Sequence, residues 1–306
     1  MSVKHLVSID DLTDTDLADL VDSGARFAAA PDDPRKVLSG RVVGLYFRLT
    51  STRTRTSFWS GALRLGAGVV NFDPGSLQTA TGETTEDTGR VFSSMLDVLV
   101  ARTGGAPEEM RSWASWNRMS VINAMSGPEH PTQALTDLIT LRAHFGDLRG
   151  LRVVYLGEGN NTAAAVALAF SRIPGLELEL RTPPGYGVDP VIMEKAARSA
   201  ERSGARVREV HHMRDLPGDV DAFYTTRWQT TGTSKPDPDW RARFAPFQVT
   251  EGLWERSPKA VFLHDLPAHR GEEVTAEVLD GPASLAFDQA ANKMACAMAV
   301  LDWIRA

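Results

Sequence analysis

Short apolar runs alternate along this chain with segments of helical spacing, and the beat holds almost from end to end. Residues 42–47, 66–72, 98–102 and 120–124 are rich in Val, Ile and aromatic residues and bounded by turn formers, so they read as strands. The same reading gives strands at 151–157, 176–180, 207–210, 220–225 and 261–263. Between them the spacing predicts helices over 57–65, 107–116, 131–145 and 191–204, with an Ala-rich helix after Gly157 and a last one over 286–304. Near the start, Ser8 and the acidic Asp10-Asp11 open a helix that reaches Leu20-Val21. Residues 28–36 read as a turn-rich connection, and Asp73-Pro74-Gly75 breaks a strand. Residues 76–86 are polar and without periodicity, hence a loop, after which Asp87-Thr88 caps a helix through Val91, Met95 and Leu96. Alternating β and α units predict mostly parallel sheets with helices on both faces. The expected fold class is therefore α/β, with two doubly wound domains. The turn-rich stretch 146–150 marks the boundary, ending one domain at 146 and opening the next at 147. A length of 306 residues suits two domains.

Composition narrows the function. A net charge of −6 removes any electrostatic case for nucleic acid or an acidic membrane as partner. No apolar run approaches the ~18 residues of a membrane span, and the start, Met1-Ser2-Val3-Lys4-His5, does not resemble a signal peptide. With Cys296 as the sole cysteine no intramolecular disulfide can form, and a reducing, cytoplasmic setting is expected. The seven histidines, His211-His212 included, show no metal spacing, so no structural zinc is predicted.

The densest chemistry lies where the first strand turns into a helix. Phe47-Arg48-Leu49-Thr50-Ser51-Thr52-Arg53-Thr54-Arg55-Thr56-Ser57-Phe58 is a strand end, a hydroxyl-rich turn and a first helical turn. The N–H groups of a helix N-terminus point outward, and its dipole favours negative charge. Ser51, Thr52, Thr54 and Thr56 add hydroxyl donors, and Arg53 and Arg55 add forked cations suited to phosphate. Such a run is denser than a cap needs, and it lacks P-loop or Rossmann glycines. Arg102 ends the third strand of the same sheet, and ligands of such sheets bind beyond the carboxyl ends of the strands. His130-Pro131-Thr132-Gln133-Ala134-Leu135 places a histidine before a helix and a glutamine three residues on, positions that can face one ligand.

In this order, Ser-x-Arg-Thr-Arg and His-Pro-Thr-Gln-Ala-Leu resemble the signatures of the aspartate and ornithine carbamoyltransferases. The resemblance runs from about residue 8 to 305 through five ordered motifs. It implies that Ser51, Thr52, Arg53, Thr54 and Arg102 hold the phosphate of carbamoyl phosphate. It implies too that Thr54, Arg102 and His130 polarise the carbonyl, and that His130 and Gln133 meet the carbamoyl oxygen and nitrogen. Gln78, nine residues before Asp87, matches a ligand glutamine of the ornithine type, on a loop that reaches a neighbouring subunit's site. Thr81 stands where aspartate-type members have a lysine. Gly157-Glu158-Gly159-Asn160-Asn161 lacks the third glycine of a dinucleotide turn and is similar to the ornithine type's Gly-Asp-Gly-Asn-Asn, whose asparagine binds the substrate carboxylate. His264-Asp265-Leu266-Pro267-Ala268-His269-Arg270-Gly271 resembles His-Cys-Leu-Pro-Ala-His-Arg-Gly, with Asp265 in place of a cysteine that contacts ornithine and Leu266 offering its carbonyl to the carbamoyl amide. Lys293 stands where an arginine contacts carbamoyl phosphate, keeping the charge and losing the fork.

The departure is at 226–232. Where the ornithine type reads Asp-x-Trp-x-Ser-Met-Gly, this chain has Thr226-Arg227-Trp228-Gln229-Thr230-Thr231-Gly232. Thr226 replaces the aspartate that holds the α-ammonium, while Thr-Arg-x-Gln is similar to the aspartate type. Asn160, Asn161, Thr226, Arg227, Gln229, Thr230 and Asp265 are thus the candidate acceptor contacts, and their charges predict an acceptor that is neither ornithine nor aspartate. A short diamino acid such as 2,3-diaminopropionate, or another amine of specialised metabolism, fits them best. The resemblance further implies a carbamoyl-phosphate domain over 1–146 completed by a last helix over 286–306, and an acceptor domain over 147–285. It implies a homotrimer with shared sites, carbamoyl phosphate and a small amine as substrates, and no metal or organic cofactor. The alternatives are a non-catalytic carbamoyltransferase-like binding or regulatory protein and, from the weak glycine turn, a nucleotide-dependent oxidoreductase.

Overall fold

The computed structural model describes residues 3–32, 35–73, 75, 77–230 and 232–305. Met1 and Ser2 of the leader reading, Asp33 and Pro34 of the 28–36 connection, Pro74, Ser76, Thr231 and Ala306 lie outside the described residues. The chain forms two compact α/β units. One comprises Met1–Ile139 with Ala291–Ala306, the other Thr140–Ala290. These divisions fall inside two helices, whereas the sequence puts them at 146/147 and 285/286. Each division lies within an unbroken helix, where the sequence carries no turn signal.

In the first unit, α1 (Asp14–Ala29) precedes β1 (Val42–Phe47), α2 (Arg53–Arg64), β2 (Gly68–Phe72), α3 (Thr85–Met95), β3 (Val98–Arg102), α4 (Glu108–Ser115), β4 (Ser120–Met125) and α5 (Pro131–Phe145), which crosses the division. The four strands are parallel, in the order β2-β1-β3-β4. β3 and β4 are buried along their whole length and β1 nearly so, as expected of strands covered on both faces, while the edge strand β2 is half exposed. Ser8 caps a short 3-10 turn, and Thr13 then caps α1 with a reciprocal Asp16 bond, so the predicted first helix starts one turn later. α3 is likewise capped by Thr84, whose hydroxyl accepts from the Asp87 N–H, and not by Asp87-Thr88. The loop before it holds a 3-10 turn, Gln78–Thr81. Residues of the last helix, α10 (Ala286–Trp303), group with this unit from Ala291 onward. Trp303 donates to Asp16 at 2.9 Å, and the Cys296 thiol points at the Thr132 carbonyl, 3.4 Å away.

The second unit runs β5 (Arg152–Leu156), α6 (Asn161–Phe170), β6 (Glu177–Arg181), α7 (Pro190–Ser203), β7 (Arg206–Val210), β8 (Ala222–Thr225), α8 (Trp240–Phe244), β9 (Val261–His264) and α9 (Ala276–Leu279). Its five parallel strands are ordered β7-β6-β5-β8-β9. All ten residues of α6 are buried, which explains why its sequence is Ala-rich and carries no polar face. The short helices α8 and α9 do not show in the periodicity, being too brief for two turns of pattern.

Among the described residues, no helix is long and apolar enough to cross a membrane.

Candidate active site

Each sheet reverses its winding once. In the first unit the chain leaves β1 for β2 on one side and then places β3 on the other, so the switch point lies between β1 and β3. In the second, β6 and β7 lie to one side of β5 and β8 and β9 to the other, so the switch point lies between β5 and β8. Crevices beyond the carboxyl ends of the strands at such points are where α/β sheets bind ligands. Ser51–Thr54 and Arg102 follow or end the strands at the first of these places, and Asn160 and Thr226 follow those at the second.

At the first switch point, Phe47 and Arg102 are register partners, and the Arg48 N–H donates to the Arg102 carbonyl at 2.9 Å. Thr52, the residue before α2, makes no side-chain cap, so its hydroxyl does not occupy the first-turn N–H groups. Thr54 and Ser57 are buried, Ser51 and Arg53 half-buried and Thr52 exposed. The Arg55 guanidinium lies 5.2 Å over the Phe47 ring, a cation–π contact that holds it against the strand. Arg48 is engaged as well, forking onto Glu109 and donating to the Tyr46 hydroxyl.

Beside this loop sits a buried polar group. Arg102 is 8% exposed, His130 6%, Gln133 1% and Lys293 7%. Lys293 donates to Gln133 Oε1, and the amide nitrogen of Gln133 donates to Asp137 at 2.7 Å, so the glutamine's orientation is fixed from both ends. His130 is held well below the usual imidazole range, first by burial and then by the positive charges of Lys293 and Arg102. It is therefore a neutral imidazole at neutral pH, able to donate one N–H without itself bringing charge. Cys296 lies close by, but burial pushes its thiol up to about 12, which leaves it an unreactive thiol. Gln78 is in the 3-10 turn, where the Thr81 hydroxyl bonds both its carbonyl and its Oε1 at 2.8 Å.

In the second unit, Gly157 (φ 122°) ends β5 and lets the chain turn back on itself. Gly159 then passes so near the 187–188 backbone that an added Cβ would lie 2.2 Å from Gly187 C and Val188 N. Asn160 caps α6, its Oδ1 accepting from the N–H groups of Thr162 and Ala163 at 3.0 and 3.1 Å. Its Nδ2 reaches across the switch point to Thr226 Oγ1 at 3.1 Å and Thr230 Oγ1 at 3.0 Å. The Tyr155 hydroxyl also contacts Thr226 Oγ1, at 3.1 Å. Arg227 is half-buried, and the Gln229 amide donates to the Thr233 carbonyl at 2.7 Å, within its own loop.

Two features here escaped the sequence. Thr230 donates to Glu158 Oε2 at 3.0 Å, and Lys235 donates to Glu158 Oε1. The Lys235 ammonium sits among rings, 4.8 Å from Tyr186, 4.9 Å from Phe244 and 5.5 Å from Trp240. Glu158 lies inside the Gly157-Glu158-Gly159-Asn160-Asn161 string, whose glycines and asparagines carry the sequence signal. Lys235 lies in an irregular stretch, and only the cluster of Trp and Phe around 240 signals that something there is covered.

At the end of β9, Asp265 accepts from the Thr162 hydroxyl at 3.1 Å. His264 Nδ1 accepts from the Leu266 N–H at 2.8 Å, so its proton resides on Nε2, which faces Glu273 Oε1 at 3.2 Å. That pair fixes the backbone turn carrying Asp265 and Leu266.

The sequence profile described as aspartate/ornithine carbamoyltransferase, carbamoyl-P binding domain, matches residues 4–143, and that of the Asp/Orn binding domain matches 149–304. The chain belongs to the aspartate/ornithine carbamoyltransferase family. It is thus a carbamoyltransferase, and carbamoyl phosphate and an amino-acid acceptor are consistent with that membership. It is 37% identical over 303 residues to the ornithine carbamoyltransferase of Acidothermus cellulolyticus, covering 99% of this chain and 96% of that one. Over 306 residues it is 36% identical to that of Methanothermobacter thermautotrophicus, covering 99% of each. Among solved structures, the ornithine carbamoyltransferase from Pyrococcus furiosus superposes with a TM-score of 0.91 at 33% identity, covering 98% of this chain and 96% of the other.

These carbamoyltransferases overturn one expectation. The charges at 226, 227, 229 and 265 led to an acceptor that is neither ornithine nor aspartate, a short diamino acid or other specialised amine. Relatives at 36–37% identity over nearly the whole chain are named for ornithine. The expectation rests on the charges of four residues, and the Glu158 carboxylate, linked to Thr226 through Thr230 and Asn160, is not among them.

Proposed function

We propose that this carbamoyltransferase moves the carbamoyl group of carbamoyl phosphate to the terminal amine of ornithine. The neutral amine attacks the carbonyl carbon, the carbon–oxygen bond to phosphate breaks, phosphate leaves, and the attacking nitrogen loses a proton to give a ureido product. Ser51, Thr52, Arg53 and Thr54, with the first-turn N–H groups of α2, hold the phosphate. Thr54, Arg102 and His130 stabilise negative charge on the carbonyl oxygen as the tetrahedral transition state forms. Gln133, oriented by Lys293 and Asp137, and the Leu266 carbonyl fix the carbamoyl nitrogen, so part of the rate comes from orientation. Lys293 adds charge toward the phosphate. Gln78 serves a neighbouring subunit's site in a homotrimer, and the enzyme works in the cytoplasm. Asn160, Asn161, Thr226, Arg227, Gln229, Thr230 and Asp265 meet the acceptor.

The observation that carries this reading is the buried group Arg102, His130, Gln133 and Lys293, with His130 held neutral between two cations. Such a group suits a neutral carbonyl that gains charge only in the transition state. The nature of the relatives supports ornithine as acceptor. Steady-state phosphate release with ornithine, aspartate, putrescine and 2,3-diaminopropionate tests it. Ornithine is expected to exceed each of the others in kcat/KM by about tenfold or more, the factor of one charged contact. A better rate with any of the three would refute the acceptor assignment.

A further inference from the structure

We propose that Glu158 is the anionic partner of the acceptor's α-ammonium, with Lys235 as the residue that positions it. The inference rests on the proposed ornithine reading. An α-amino acid at neutral pH brings an ammonium and a carboxylate, and taking either from water without a partner is costly. The connected group Asn160, Thr226 and Thr230 is an amide and two hydroxyls. It is polar, but it supplies no negative charge.

Glu158 supplies that charge to the same group. Its Oε2 accepts from Thr230 Oγ1 at 3.0 Å, Thr230 is bonded to Asn160, and Asn160 to Thr226. The carboxylate therefore lies one hydroxyl from the cluster at the β5–β8 switch point. Its two oxygens offer about four acceptor sites, and the described bonds use one on each oxygen. Capacity remains for an ammonium.

The two partners differ in access. The Glu158 side chain keeps 17% of its surface, while Lys235 keeps 4%. Lys235 is walled in by Tyr186, Trp240 and Phe244, so it acts on the ligand only through the carboxylate it grips. A buried ammonium of this kind needs its carboxylate and fixes it in place. Asp265 is another carboxylate near α6; it accepts from the Thr162 hydroxyl and lies 3.6 Å from His264 Nδ1, and D265N in the test below separates its contribution from that of Glu158.

The test is a cycle of enzyme variant against substrate. 5-Aminopentanoate has ornithine's carboxylate and terminal amine and lacks the α-ammonium. The ratio of kcat/KM for ornithine to that for 5-aminopentanoate is measured in the wild type, E158Q, E158Q/K235M and D265N. The wild type is expected to favour ornithine by about 100-fold, and E158Q to shrink that ratio by about tenfold or more, chiefly through KM for ornithine. The double variant removes both charges and carries the same readout if E158Q leaves Lys235 too badly paired to fold. A ratio unchanged in E158Q or in the double variant, or one that collapses in D265N alone, would overturn the inference while leaving ornithine as acceptor. A wild type inert toward ornithine would overturn the acceptor reading and this inference together.

Discussion

His130 and Glu129 are adjacent, buried and titrate in opposite senses. The pKa of His130 is held well below the usual imidazole range, which suits the proposed role of a neutral donor whose bond strengthens with charge on the carbonyl. His130→Ala is expected to lower kcat by roughly 100-fold with a smaller change in KM for carbamoyl phosphate, since the bond tightens in the transition state. A pure KM effect in steady-state assays would reduce His130 to a binding residue. Glu129 is pushed up to about 7, chiefly by burial, while accepting from Ser8 Oγ at 2.6 Å and the Ile9 N–H at 2.7 Å. Its proton is held more tightly in the folded state than in the unfolded chain. Its contribution is therefore fully present below the ordinary carboxylate value and lost as pH rises through about 7. Relative to Glu129→Gln, the wild type should lose stability between pH 5 and 8, by up to about 3 kcal/mol at 1.4 kcal/mol per pKa unit. Unfolding midpoints that run parallel across that range would contradict the buried, protonated carboxyl.

The elements were the most legible part of the chain. Val98–Arg102 and Val42–Phe47 stand as strands at the residues their patterns give, because a strand buried on both faces leaves an unbroken apolar run. The caps were less legible. Thr84 and Thr13 take positions that several nearby Thr and Asp residues could fill, and only the three-dimensional course of the chain selects among them. The anion loop was visible as a string, but its division of labour was not: Arg55 turns onto Phe47, a contact that depends on the strand and helix being folded together. Gly159 shows the same limit at the second switch point. Its glycine reads as a nucleotide turn in sequence, and in space it is the only residue type that clears the 187–188 backbone. Gly159→Ala is expected to cost about 1–3 kcal/mol, as overpacking does, and to raise KM for the acceptor by displacing Glu158 and Asn160. Denaturation together with acceptor kinetics checks this; wild-type values in both would show that the turn yields freely.

At the scale of the whole molecule, each of two parallel sheets reverses its winding once, and a polar cluster proposed to be functional lies beside each reversal. The first cluster is cationic and rich in donors, the second neutral with one ion pair at its edge. That difference suits the proposed substrates, an anionic acyl phosphate for the first cluster and a zwitterionic amino acid for the second. Membership of the family was legible because short motifs in fixed order carry it. The acceptor was not, because the hydrogen-bonded chain from Glu158 through Thr230 and Asn160 to Thr226 joins residues up to 72 positions apart and exists only in the fold. The central claim is that the loop from Ser51 to Thr54 holds carbamoyl phosphate, and calorimetric titration of carbamoyl phosphate into the wild type and Arg53→Ala tests it most directly. The wild type should bind with a measurable heat and Arg53→Ala, still folded by circular dichroism, should lose about 100-fold or more in affinity, as expected for a forked cation on phosphate. Equal affinity in the two proteins would contradict the account.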